Sequence, residues 1–322
     1  MVDLSALPAE LKDHAVQYRE QILQLILISE LGFLNYMQLI DEVTDEIVLT
    51  QMFTNSVLQP GNKDEFNPKG AVGFKTRTGK VRPCKVDLTM KHTDLTRMYK
   101  SYLGKVKAAA ARKDVYDLLF QDEIFDAVIK RVKQDLHLEA VFKGKYNADG
   151  TTPKDTMEGL LFIIQKDIAA ANIATANAVT VANAIEEVEK VADLVPSAYA
   201  QKDLVMLVDP VIAKYYNRDY RTTYGSLNYN NEYKKVTIDG TNTEIIPEPG
   251  IAGTGGIIVT PRNNFVWLTN SLGGMESINV EKSKRNIDML MDFEAAPEVA
   301  IMEEVWMNDN VSEWVTANTP AA

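Results

Sequence analysis

Charge is segregated along this 322-residue chain, and the segregation limits what its parts can fold against. Residues 61–113 hold 14 Lys or Arg, from Lys63 to Lys113, against four acids, Asp64, Glu65, Asp87 and Asp94, a net of +10. The whole chain carries −11, so everything outside that stretch carries −21. A basic segment in an acidic protein must face something negative. Nucleic acid is one such partner. Acidic protein surface, of the same chain or of another copy, is the other, and residues 1–50 and 276–322 each carry −7. A plain solvated basic face is the third reading.

The basic segment is also rich in turn signals. Pro60-Gly61-Asn62, Asn67-Pro68-Lys69-Gly70 and Thr78-Gly79-Lys80 punctuate it, with extended candidates at Val72–Thr76 and Val81–Leu88 between them. These predict a two-stranded ribbon with a loose tip. Its apolar content is too low for a core of its own, and an isolated two-stranded ribbon is marginal in water, so it must pack on something else.

Elsewhere the hydrophobic period is that of an α+β chain. Helices are predicted over 8–31, where Val16, Ile22, Leu23, Ile26 and Leu27 share a side, and over 112–143, where Val115, Leu119, Ile124, Val128, Val132 and Leu136 keep helical spacing before Gly144. The second would span roughly 45 Å, a structural spine. Thr152-Pro153-Lys154-Asp155 reads as a capped helix start leading to Met157, Leu160, Leu161, Ile164 and Ile168. A helix at 181–195, a strand at Leu204–Val208 and a helix from Asp209-Pro210 to Arg221 follow. Strands are then expected at 234–238, 243–247, 256–260 and 264–269, with three more at Ser277–Glu281, Ile287–Phe293 and Val299–Trp306.

Signals for chemistry are sparse, and the chain reads as no enzyme. The three histidines, His14, His92 and His137, lie apart from one another and from the one cysteine, Cys84, so neither a disulfide nor a paired-cysteine metal site is expected. His137 reads as structural and His92 as solvated. The cluster Gly250-Ile251-Ala252-Gly253-Thr254-Gly255-Gly256 lacks the Lys-Ser/Thr ending of a phosphate loop and leads into a strand, so it reads as a turn. The pairs Glu186-Glu187 and Glu303-Glu304 read as solvated faces. No cofactor is expected. Met1-Val2-Asp3-Leu4-Ser5 lacks a basic n-region, and the apolar run from Ile22 to Leu34, broken by Gln24 and Glu30, falls short of the ~20 residues a membrane span needs.

For nucleic acid, the lysines of the basic segment would meet phosphates and Phe66, Phe74, Tyr99 and Tyr102 would stack on bases. These aromatics are not interleaved as a platform, and the acidic remainder would repel a polyanion. For protein contact, exposed pairs add little energy but set register and partner.

The order of parts is an N-terminal arm, a basic turn-rich ribbon, a spine helix, a helical layer, a mixed region and returning C-terminal strands. This resembles the major capsid protein of tailed bacteriophages, the Hong Kong ninety-seven-type fold shared with encapsulins, and in particular structural proteins of phages or prophages of Bacteroidetes-type bacteria. Pro60–Gly70, Phe125–Phe142 with Gly144, Asp149–Pro153 with Glu158-Gly159-Leu160, Asp209–Tyr216 and Ile257–Phe265 carry the resemblance. It implies an N-terminal arm (1–54), an extended loop (55–105), a peripheral domain with the spine helix (106–195), an axial domain (196–275) and strands returning to the peripheral domain (276–322). It implies a subunit that assembles with itself into pentamers and hexamers, with portal, scaffold and decoration proteins as further partners, around DNA bound without sequence specificity and without a membrane. The loop would overlie a neighbour, with Lys63, Lys69, Lys75, Arg77, Lys80, Arg82 and Lys85 as its contacts. Reversing Lys75, Arg77, Lys80 and Arg82 to Glu should then impair assembly and leave the subunit folded. An encapsulin-like compartment shell and a nucleic-acid-binding protein are the alternatives.

Overall fold

The computed structural model describes residues 7–28, 31–61, 68–110, 120–199, 201–225, 237–270, 278–284 and 286–319. The chain begins with helices α1 (Leu7–Gln17) and α2 (Arg19–Leu27) and strand β1 (Met37–Ile40). Then come β2 (Glu46–Thr54), β3 (Val72–Lys80), β4 (Arg82–Met90), α3 (His92–Ala110), α4 (Phe120–Asp135), α5 (Leu160–Lys166) and β5 (Asn172–Ala174). The second half runs α6 (Ala184–Asp193), β6 (Leu204–Val208), α7 (Pro210–Tyr224), β7 (Glu244–Pro247), β8 (Ile257–Pro261) and β9 (Phe265–Thr269). It closes with β10 (Ile278–Ser283), β11 (Asn286–Val299), β12 (Trp306–Asn308) and α8 (Asn310–Ala317).

Two five-stranded sheets and one separate ribbon organise these elements. The first sheet runs β1-β9-β11-β10, with β4 on the other side of β11; the second runs β5-β12-β8-β6-β7. β11 alternates: Ile287, Met289, Met291 and Phe293 are buried, while Asp288, Leu290, Asp292 and Glu294 lie on the opposite, less buried face. Its apolar face joins α1, α2, α4 and α5 in the main core, where Trp267 donates its indole N–H to Leu27 O at 3.0 Å. β6 is buried at all five positions, so its sequence is an unbroken apolar run. Val188 and Val191 of α6 and Ile212 and Tyr216 of α7 cover it in a second core.

The spine helix keeps its expected face, with Ile124, Phe125, Ile129 and Val132 buried, and ends in a π-turn over Leu136–Ala140. Residues 111–119, with Val115 and Leu119, lie outside the described residues. Beyond the π-turn, two helix ends satisfy each other. Leu160 N–H and Leu161 N–H at the start of α5 donate to Val141 O (2.9 Å) and Phe142 O (3.1 Å), and Gly159 N–H donates to Gly144 O (2.8 Å). This close approach requires glycine, because a Cβ at 159 would sit 2.5 Å from Phe142 O.

Several expectations fail for identifiable reasons. The N-terminal helix breaks at Tyr18, and Val16 turns out to solvent. Thr152 and Asp155 do bond, Thr152 N–H to Asp155 Oδ2 at 2.9 Å, yet they close a single 3₁₀ turn. The backbone at Gly159 is committed to Gly144, and α5 starts only at Leu160. The strand expected over Val299–Trp306 is the end of β11, a 3₁₀ turn at Met302–Glu304 and the start of β12. Most of the strand expected at 234–238, and Ser277, lie outside the described residues.

The ribbon differs most. Both predicted strands exist, but β3 pairs with β2 and β4 pairs with β11, so they are not partners of each other. Only Val81 separates β3 from β4, too little chain for a hairpin turn. Val81 is instead buried with Val43, Val266 and Leu268, and its N–H donates to Asp45 O at 3.0 Å. The chain crosses from ribbon to sheet at that point. Among the described residues, no helix is long and apolar enough to cross a membrane.

Candidate functional site

The ribbon has two chemically different faces, because side chains alternate along a strand. Leu49 pairs with Arg77, Gln51 with Lys75, and Ile47 with Gly79 on the inner face. Ile47 and Leu49 pack against the Val43–Val81–Val266–Leu268 cluster. Arg77 extends across to two carboxylates, with Nη1 2.5 Å from Asp167 Oδ2 and Nη2 3.0 Å from Glu298 Oε1. Lys75 pairs with Glu303 at the rim. Burial works against the charge on Arg77, but its bonds to Glu298 and Asp167 outweigh that, and its pKa lies above the ordinary value. The Lys75 bond holds the Glu303 carboxyl below the usual carboxylate range.

The outer face pairs Val48 with Thr78, Thr50 with Thr76, Met52 with Phe74 and Thr54 with Val72. Val48, Met52, Val72 and Phe74 are 56%, 61%, 60% and 65% exposed. Charge appears only at its base, where Glu46 lies opposite Lys80. Past the strands, Leu58 is 86% exposed. Nothing in the described part of the subunit covers this apolar, threonine-rich surface.

The predicted contact cations are thus distributed differently from their expectation. Lys75 and Arg77 bind their own subunit, Lys80 pairs with Asp45 at 3.1 Å, and Lys85 pairs with Asp87 at 2.8 Å on β4. Arg82 stacks over the Tyr146 ring at 4.1 Å, and Lys69 donates to Leu58 O at 2.9 Å. Lys63 and Phe66 lie outside the described residues. Charge reversal at Lys75, Arg77, Lys80 and Arg82 would therefore place Glu at 77 against Glu298 and Asp167 of the same chain. Because it would set like charges together within the subunit, that variant is not a clean test of assembly. The alternation of Val48, Thr50 and Met52 along the sequence is the signal for the outer face.

Other candidate chemistry resolves into internal structure. Tyr99 meets Phe120 edge-on at 5.4 Å and Tyr102 lies 5.2 Å from the same ring, so neither tyrosine forms a base-stacking platform. In the glycine cluster, the N–H groups of Gly253 and Gly255 hold Asp209 Oδ2 at 2.7 and 3.2 Å, so an internal carboxylate takes the place of a phosphate. Glu187 is buried and not solvated, accepting from Asn177 and Lys190; Glu304 accepts from Tyr199. The side chain of His92 lies outside the described residues.

His137 is structural in a specific way. Its Nε2 donates to Glu248 Oε1 at 2.5 Å, Gly250 N–H donates to the same oxygen at 2.7 Å, and Tyr36 O–H donates to Oε2. Glu248 is 2% exposed, and this carboxylate joins the N-terminal segment, the end of the spine helix and the loop after β7. Burial, then the Glu248 charge, push the Tyr36 phenol far above its ordinary pKa, so it remains a donor. Among the described residues, no three His, Cys, Asp or Glu side chains converge as a metal site.

No protein-family model matches the chain, and no curated protein matches it in sequence. Solved structures do match. A chain from the procapsid of satellite phage P4, determined with its size-determination (Sid) protein, superposes with a TM-score of 0.60 at 14% identity, over 92% of this chain and 90% of that one. The capsid of an empty GTA particle gives 0.51 at 11% identity over 88% and 90%. The cyanophage A-1(L) capsid gives 0.50 at 10% identity over 90% and 91%. At these identities the likeness is one of fold, and the fold is the α+β capsid fold that the order of parts implied.

Proposed function

We propose that this chain is the structural subunit of an icosahedral capsid, self-assembling into pentamers and hexamers around packaged double-stranded DNA. The observation that carries the reading is the outer face of the ribbon. Val48, Met52, Val72 and Phe74 form an apolar patch on an element that stands apart from both sheets. A patch of this kind marks an interaction surface. Covering the exposed part of each side chain would contribute roughly 1–2 kcal/mol, so several kcal/mol per contact. The fold, shared along almost the full length of phage capsid chains, makes a second copy the natural cover.

In this reading the first sheet with α4 serves as the peripheral domain and the second sheet with α6 and α7 as the axial domain, which moves α6 out of the expected peripheral span 106–195 and β9 out of the expected axial span 196–275. The ribbon and its tip are the extended loop, and the N-terminal helices are the arm. The subunit is not an enzyme. Portal, scaffold and decoration proteins complete a virion assembled in the cytoplasm of a bacterial host, one with relatives in phages or prophages of Bacteroidetes-type bacteria. The contact is apolar on the outer face, and the basic residues act mainly within the subunit. The test is the double variant M52D and F74D, which alters exposed positions. It should give a folded protein by circular dichroism and no particles by electron microscopy. Normal particles would overturn the reading. Particles filled with protein cargo instead of DNA would point to a compartment shell.

A further inference from the structure

The cations of the basic segment fall into two groups. Lys75, Arg77, Lys80 and Lys85, on the ribbon and β4, all meet carboxylates of their own chain. Those at α3 do not. Lys91, just before the helix, and Lys100, within it, are exposed, and neither makes an ion pair among the described residues. Arg97 reaches Asp94, one turn back, at 3.9 Å, with the two side chains 84% and 60% exposed. A pair so long and so open to water holds neither partner. The sequence of α3 adds Lys105 and Lys107, and Asp94 is its one acid.

The helix has a buried side and a wet side. Leu95 and Tyr99 lie in the main core, and Tyr99 meets Phe120 at the start of α4. Thr93, Asp94, Arg97, Lys100 and Ser101 face water. Positions 97, 100 and 107 recur at the spacing that keeps residues on one side of a helix. Asp122 and Glu123 open α4 nearby, and Asp122 is held by His14 Nε2 at 2.6 Å.

The chemistry of this face selects its partner. With no apolar residue, it lacks the apolar centre of a protein interface. It also lacks the apolar side that an interfacial helix buries in lipid, because Leu95 and Tyr99 are occupied in the core. Cations on long stems, with one weak carboxylate contact among them, suit phosphate groups, which are met through polar, hydrated contacts that read no base. The acidic remainder of the chain does not cancel this attraction, because exposed charges more than about 8 Å away are largely screened at physiological salt.

We propose that the outer face of α3 is a contact for the phosphate backbone of duplex DNA, made by Lys91, Arg97 and Lys100. The identity of the polyanion rests on the shell reading above, and the inference assigns the surface of the subunit that meets it. The contact gives each copy a fixed cationic point against packed DNA and reads no sequence.

The test is fluorescence anisotropy of a short labelled DNA duplex with the full chain, across a salt series, below the concentration at which light scattering detects assembly. The account predicts binding that weakens with salt, each phosphate contact contributing about −0.9 to the slope of log affinity against log salt. R97Q combined with K100Q alters two exposed positions, so circular dichroism should be unchanged while the slope becomes shallower by about 2. K214Q combined with R218Q removes the same charge from exposed positions of α7 and should leave the slope as it is. No salt-sensitive binding by the unaltered chain, or an equal loss from the two double variants, overturns the contact and leaves the shell reading intact. Binding to phosphatidylserine vesicles and not to the duplex, or loss of particles from R97Q/K100Q at unchanged DNA affinity, also overturns it, by giving the face to lipid or to protein. A chain that never assembles yet binds DNA through Arg97 and Lys100 overturns the shell reading and supports the contact.

Discussion

Arg77→Met asks whether the inner ribbon face is fixed by its ion cluster. The guanidinium binds Glu298, whose residue is 8% exposed, and Asp167, which is half-exposed. The Asp167 bond faces water and contributes about 0–1 kcal/mol. The Glu298 bond is worth more, about 1.5–3 kcal/mol, because its loss leaves a nearly buried carboxylate without a cation. Oε1 of Glu298 keeps only a donor from Val299 N–H at 3.0 Å among its described contacts. The expected loss is about 2–3 kcal/mol, which falls mainly on the ribbon because the cores on either side are untouched. That corresponds to a roughly 30- to 150-fold rise in the open population. Native-state hydrogen exchange of peptides covering 46–54 and 72–80 reads it directly. Protection there should fall by that factor while peptides from β6 and β9 keep theirs. Unchanged ribbon protection would show that Ile47 and Leu49 suffice to hold the ribbon, and would refute the role assigned to Arg77.

Two further outcomes follow from buried groups. Tyr36→Phe removes one donor from the buried Glu248 carboxylate without opening a cavity, and should lower stability by about 1.5–3 kcal/mol in chemical denaturation. A change below a few tenths would mean that Glu248 is not held by that hydroxyl. On the alkaline side, burial pushes the Cys84 thiol up to about 12, and the bond to Glu304 pushes the Tyr199 phenol up to about 12. Both folded values lie above the ordinary 9.0 and 10.0, so both neutral forms are favoured by folding. Their contribution is complete below about pH 9 and is lost as pH rises toward 12, which denaturation midpoints across that window should register. Cys84 should also resist thiol reagents in the native protein at neutral pH.

Much of the fold was legible because its periodic elements are strongly patterned. Leu204–Val208 reads as a buried strand because all five residues are apolar, and Ile124, Phe125, Ile129 and Val132 mark the spine by spacing alone. Asp209-Pro210 announces α7, and Asp209 does cap it, accepting from Val211 N–H at 2.9 Å. What could not be read was pairing. Nothing local in Val72–Leu88 says that β3 turns to β2 and β4 to β11; the partners are supplied by residues far along the chain. The site was half-legible for the same reason. The cations of the segment are visible in the sequence, but their carboxylate partners Asp167, Glu298 and Glu303 are distant, so an internal clamp looked like an outward patch. Strand β5, three residues long, is defined by its pairing with β12 and not by pattern.

The central claim is that copies of this chain assemble with one another, and electron microscopy with light scattering on the protein expressed alone in bacteria tests it most directly. The account predicts closed shells, or discrete pentamers and hexamers. A folded chain that stays monomeric at every concentration, with Met52 and Phe74 of the ribbon exposed in solution, would contradict it.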